Sequence, residues 1–257
     1  MADVALTDAD VDRIIAALTP YGLNRCRALS LSDVGAEVWL PGRRPDAWDP
    51  AGEPPRTLIL IGHGGRSLWE AVHGDPTFDF DGTPDPIDTW SIDRSATALD
   101  RVVPSIERCL LYPAPDCPMD LVALGRAMGW HSASPLGLGI HHGFGLWSAF
   151  RALWLLDVTA DLSPAPVASD VCIRCETHDC VAACPVNAVE FGRDFAVKSC
   201  LEHRSKLNSE CGETCLARAA CPVGIEHRYD GDQMAYHYRL SRPSGEVGVD
   251  GDLDRPS

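Results

Sequence analysis

The chain has 257 residues, 45% of them hydrophobic, and a formal net charge of −15. That is enough for one large domain or a medium domain plus a small one, and it excludes a chain too polar to fold. No stretch approaches the roughly 20 unbroken apolar residues of a membrane helix. Met1 to Asp12 lacks a basic region followed by an apolar run, and the acidic balance argues against a surface that tracks nucleic-acid phosphates. A cytoplasmic protein with neither a membrane nor a nucleic-acid partner is expected.

Thr7-Asp8-Ala9-Asp10 has an N-cap with an acidic side chain three residues on, and Val11, Ile14, Ile15 and Leu18 follow at helical spacing. This first helix should end near Pro20-Tyr21-Gly22. Arg25 to Leu31 and Gly35 to Leu40 read as short strands, and Pro41 to Pro55 as a loop. Thr57 to Ile61 has the continuous apolar, β-branched character of a buried strand. It runs into Gly62-His63-Gly64-Gly65-Arg66-Ser67, a turn that opens a helix through Leu68, Val72 and His73. The glycines there could offer N–H groups to an anion, but a simple turn is favoured because no full phosphate-loop pattern is present.

Asp85 to Val103 reads as a helix with Pro86 in its first turn, Arg108 to Tyr112 as a strand, and Met119 to Met128 as a helix stopped by Gly129. Leu136 to His141 and Leu146 to Leu156 read as two strands meeting at Gly143-Phe144-Gly145. The elements alternate without a regular βαβ rhythm, so an α+β sheet domain is expected over residues 1–157. Residues 158–170 read as a linker, 171–240 as a cysteine module, and 241–257 as a mobile tail.

Three of the eleven cysteines, Cys26, Cys109 and Cys117, precede the module and read as small buried hydrophobes; Cys117, beside Asp116, is the one with a case for a reactive thiolate. The other eight form Cys172-x2-Cys175-x4-Cys180-x3-Cys184-Pro185 and, after a lone Cys200, Cys211-x3-Cys215-x5-Cys221-Pro222. Eight thiolates are what two [4Fe–4S] clusters need, and in two-cluster ferredoxins the last cysteine of each run serves the other cluster. Crossing the ligands gives Cys172, Cys175, Cys180 and Cys221 for one cluster and Cys184, Cys200, Cys211 and Cys215 for the other. The Cys175–Cys180 spacing is two residues wider than the common bacterial run, with His178 inside it. Zinc is the alternative, disfavoured because only one C-x2-C pair occurs. Val189-Glu190-Phe191 and Phe195 to Lys198 read as a hairpin between the runs.

Ile140-His141-His142-Gly143-Phe144-Gly145-Leu146-Trp147-Ser148-Ala149-Phe150-Arg151 resembles the I-H-x-x-F-G-x-W-x-A-x-R motif of the cobalamin-processing family that decyanates and dealkylates vitamin B12. Gly129-Trp130 and Gly143 to Trp147, with the lone Cys200 ahead of the last cysteines, resemble epoxyqueuosine reductase and the reductive dehalogenases. The resemblance implies a nitroreductase-like mixed-sheet domain followed by a small two-cluster, bacterial ferredoxin-like domain. It implies base-off cobalamin as cofactor, with Gly137, Gly139, His141, Trp147, Phe150 and Arg151 as contacts. A ferredoxin- or flavodoxin-type electron donor would be the partner. Two features depart from the reductase pattern. The lysine that follows G-W-x-G is absent from Gly129 to Ala133, and Pro113 takes the position of the catalytic aspartate, leaving Asp116 as the nearest acid. A non-catalytic electron carrier with a docking domain, and an FMN-dependent reductase, are the alternative readings.

Overall fold

The computed structural model describes residues 5–43 and 56–241. The chain divides into two compact units, Met1–Trp130 with Ser148–Ala168, and His131–Trp147 with Ser169–Ser257. Residues 131–147, expected in the sheet domain, therefore group with the cysteine module. Among the described residues no helix is long and apolar enough to cross a membrane.

The first unit is built on four antiparallel strands in the order β2 (Arg25–Ser30), β3 (Thr57–Gly64), β7 (Ser148–Leu156) and β4 (Arg108–Tyr112). All eight residues of β3 are buried, as its unbroken apolar run implies. Period-two alternation sends Leu58 and Leu60 of β3, with Leu153 and Leu155 of β7, into one core with Leu124, Met128 and Trp130. The neighbouring position Trp154 faces the other way, and its indole N–H donates to Ser95 Oγ on α3 (Pro86–Val102) at 3.0 Å. Both faces of the central strands are thus covered, which is what an α+β arrangement of this sheet requires.

Helix α1 (Asp8–Leu18) starts at a capping box: Thr7 and Asp10 each bond the other's backbone N–H, and Ile14 and Leu18 are buried. Helix α2 (Ser67–Gly74) follows the glycine turn, and α4 (Leu121–Ala127) is capped by Asp120, which accepts from Val122 and Ala123 N–H. An unforeseen strand, β1 (Ala5–Thr7), pairs in parallel with β8 (Thr159–Asp161), three residues of the expected linker.

One expected strand is absent and another is shortened. Gly35 to Leu40 instead forms one 3-10 turn, Ala36–Val38, and its backbone is satisfied by residues 118–120: Leu40 N–H donates to Pro118 O and Asp120 N–H donates to Val38 O. Leu136 to His141 is reduced to β6 (Gly139–Ile140), paired with β5 (Ser132–Ala133), and a His141–Gly145 bridge closes the tight turn. Residues 44–55 of the expected loop, and 242–257 of the expected tail, lie outside the described residues.

Among its described residues the second unit carries four α-helices: α5 (Asp179–Ala182), α6 (Val197–Ser205), α7 (Leu216–Ala220) and α8 (Gly231–Leu240). The hairpin expected over Val189–Lys198 is a turn closed by Ala196 N–H on Ala188 O, after which Val197 begins α6. That helix is fixed by Arg204, whose guanidinium donates to Tyr238 O at 2.9 Å and lies 4.6 Å from the Tyr238 ring centre. A buried guanidinium anchored in this way outweighs the weak strand signal of Phe195-Ala196-Val197.

Candidate functional site

The eight module cysteines fall on short helices and the loops between them. Cys180 is in α5, Cys200 in α6, and Cys215 caps α7, whose far end is Cys221. Cys172, Cys175, Cys180 and Cys221 line one small cavity of about 20 Å³, walled by apolar side chains that include Leu136, Ile140, Leu146 and Val223. Burial pushes the Cys172 thiol up to about 11, and the neighbouring Cys221, Cys180 and Cys175 push the same way. Burial also raises Cys180 and Cys221, with Cys175 adding to both.

The second set behaves alike. The Cys200 thiol is raised by burial and by Cys215, Cys184 and Cys211, with Arg204 opposing. Cys211 is raised by burial, and Cys215 and Cys184 add to it. Backbone and side-chain donors face this set: Ala188 N–H to Cys184 Sγ at 3.2 Å, Arg218 N–H to Cys215 Sγ at 3.4 Å, and the Tyr238 hydroxyl to Cys215. Such donors stabilise thiolate charge. Cys172, Cys175, Cys180 and Cys221 thus act on one another electrostatically, as do Cys184, Cys200, Cys211 and Cys215. All eleven cysteines are free thiols, and among the described residues no three metal-ligating side chains close on a single point.

The glycine turn serves this module. Gly145 has φ +59°, and a Cβ there would lie 2.0 Å from the Val223 carbonyl oxygen, two residues beyond Cys221. His141 Nδ1 accepts the Gly143 and Phe144 N–H groups at 3.0 and 3.1 Å, which holds the turn. Trp147 is buried between Arg218, whose guanidinium lies 4.6 Å from its ring centre, and Tyr229 at 5.4 Å. A Cβ on Gly139 would meet the His131 ring at 2.3 Å, and one on Gly137 would meet Phe195 at 3.3 Å. Gly137, Gly139, His141 and Trp147, expected as corrinoid contacts, all lie in the second unit.

Phe150 and Arg151 belong to the first unit. Phe150 packs edge-on to Trp130, with ring centres 5.5 Å apart. Arg151 Nε–H donates to Nδ1 of the fully buried His63 at 3.2 Å. Its charge also reaches Asp88 and Tyr112. Both are raised chiefly by burial, and Arg151 holds both down. Sequence reading missed this group of His63, Asp88, Tyr112 and Arg151, because its members come from β3, α3, β4 and β7. Asp116, the acid chosen from sequence, is exposed. The thiols of Cys26 and Cys117 are raised by burial, Cys26 to about 12, which opposes thiolate reactivity at both. Nor does Gly64 offer a free N–H to an anion, since it donates to Asn24 Oδ1 at 2.8 Å.

Replacing Arg151 by glutamine should move Asp88 and Tyr112 further up. A carboxyl raised in the fold favours the folded chain at acid pH and loses that contribution as pH rises through its folded value. The stability deficit of R151Q is therefore expected to be larger at about pH 7 than at about pH 4, read from melting temperatures at the two values. Equal deficits would mean that Arg151 does not act on Asp88.

No family model and no curated protein sequence matches the chain, but solved structures match its fold. Epoxyqueuosine reductase from Bacillus subtilis aligns over 86% of this chain and 66% of its own, at 12% identity and a TM-score of 0.55. An epoxyqueuosine reductase solved with an epoxyqueuosine-modified tRNA-Tyr stem loop aligns over 90% and 70%, at 10% identity and a TM-score of 0.54. The C. elegans B12-trafficking protein CblC, a homologue of human MMACHC, aligns over 91% of this chain and 94% of its own, at 15% identity and a TM-score of 0.52. The resemblance carried by Ile140 to Arg151 is matched at the level of fold: the chain has the architecture found in both epoxyqueuosine reductase and CblC.

Proposed function

We propose that the protein is an iron–sulfur reductase that works on or with a corrinoid. Two [4Fe–4S] clusters would be held by Cys172, Cys175, Cys180 and Cys221 and by Cys184, Cys200, Cys211 and Cys215. The observation that carries this reading is the electrostatic action of eight thiols on one another in two sets of four, the first lining an apolar cavity. The donor chemistry fits iron–sulfur clusters. A single zinc ion would draw four sulfurs to about 2.3 Å from one point, whereas a cube holds its ligands around a wider body. The fold shared with epoxyqueuosine reductase and CblC supports the corrinoid. Of the six expected contacts, Phe150 and Arg151 lie in the first unit, and Arg151 offers a planar donor fork.

When bound, the clusters supply one-electron transfer at potentials set by ligation and surroundings, and a base-off cobalt centre supplies the acceptor. The chain's own part is specific. N–H donors at Cys184 and Cys215 offset thiolate charge, and the apolar wall of Leu136, Ile140 and Leu146 keeps water from the first set. Asp88 and Tyr112, both raised by burial, stay protonated to higher pH than exposed groups and can hold a proton beside Arg151. A ferredoxin- or flavodoxin-type protein would deliver the electrons.

Anaerobically reconstituted full-length protein should contain about eight iron and eight sulfide per chain. Titrated with cob(II)alamin, it should convert the cofactor's visible spectrum from base-on to base-off with saturation. Intact clusters without that shift would favour the electron-carrier reading; yellow, flavin-loaded protein as purified would favour FMN.

A further inference from the structure

Counted from Cys172-x2-Cys175, the residue at the third-ligand position of the common C-x2-C-x2-C run is His178, with Cys180 two residues later. His178 takes φ +49° and caps α5, and its ring packs 4.6 Å from that of Phe191. It lines the same cavity as Cys172, Cys175, Cys180 and Cys221, and its Nε2 is buried without a hydrogen-bond partner among the described residues. A buried polar atom left unpaired costs about 1–3 kcal/mol, and this one belongs to a residue on the wall that also carries four cysteines. The four thiols already complete the ligand count of a cube. What remains for the imidazole is a hydrogen bond to sulfur.

We propose that His178 donates its Nε2–H to a sulfur of the cluster held by Cys172, Cys175, Cys180 and Cys221, and thereby raises that cluster's reduction potential. The inference rests on the two-cluster reading. Reduction adds one electron, and hence negative charge, to the cluster, and a donor aimed at sulfur stabilises the reduced form more than the oxidised one. The wider Cys175–Cys180 spacing is then the room that a ring needs to sit beside the cluster while Cys180 still reaches iron.

The test uses full-length, anaerobically reconstituted protein, titrated with dithionite and followed by electron paramagnetic resonance. In His178→Phe one of the two midpoints should fall enough to lower the reduced-to-oxidised ratio about tenfold, which is about 59 mV for a one-electron couple. His178→Gln, which keeps an N–H donor, should recover part of the shift. Pulsed spectra of wild-type protein with 15N-labelled histidine should show a weak nitrogen coupling and an exchangeable proton, a result that stands even if His178→Phe fails to assemble its cluster. Unchanged midpoints, no nitrogen coupling, or the strong coupling of an iron-bound imidazole would each overturn the proposal. Wild-type protein that holds zinc or no iron would instead defeat the two-cluster reading beneath it.

Discussion

Replacing Cys200 by alanine is expected to halve the iron content, from about eight to about four per chain, while the protein remains folded. Cys200 stands alone between the two runs, on α6, and its thiol neighbours are Cys184, Cys211 and Cys215. Its loss leaves three ligands at one site and four at the other, so the spectrum of a single cluster should persist. Cys109→Ala, which removes an exposed thiol remote in sequence from both runs, should leave iron unchanged. Full iron in C200A would break the assignment of ligands to sets. Two zinc ions in the wild type and one in the variant, with no visible absorption, would replace clusters by structural zinc.

The second large effect concerns a residue that carries no chemistry. Gly145→Ala should cost more than about 4 kcal/mol, in the range reserved for named structural failures. The new Cβ would lie 2.0 Å from the Val223 carbonyl oxygen on a residue already at φ +59°. Backbone on both sides leaves no flexible side chain to yield. Val223 follows Cys221-Pro222, so displacement of this strand of backbone moves a ligand of the first set. Gly192→Ala is the matched control, since Gly192 has φ +78° but open space around it. Its cost should stay near 1–2 kcal/mol. Melting temperature and iron content of the two variants separate conformational strain from collision; similar losses in both would remove the argument for the Gly145 contact.

Much of the fold was readable because local pattern and tertiary position agree. Arg108–Tyr112 appears as read, α3 within one residue of the expectation, and the apolar run at Thr57 lies at the centre of the sheet. Reading failed where the decisive partner is distant. Gly35 to Leu40 looks like a strand, but residues 118–120 claim its backbone, and the helix Val197–Ser205, partly read as a strand, has Arg204 bound to Tyr238 O. The cysteine runs were legible from counting alone, since their spacing and the Cys-Pro endings are local. The surroundings of His141 and Trp147 were not: His141 holds the turn's own amides, and Trp147 packs on Tyr229. The His63, Asp88, Tyr112 and Arg151 group required the sheet to bring four elements together.

The excursion of residues 131–147 out of the sheet unit bears on how such a chain can be inherited or dissected. Cutting in the linker after Ala168 would strip Leu136, Ile140 and Leu146 of the Val189 and Ala217 core they share, and would leave the cysteine segment without one wall of its cavity. Neither piece could be exchanged with another protein by a single crossover at that linker. A gene encoding this arrangement passes on its sheet and its cysteine module as one heritable block.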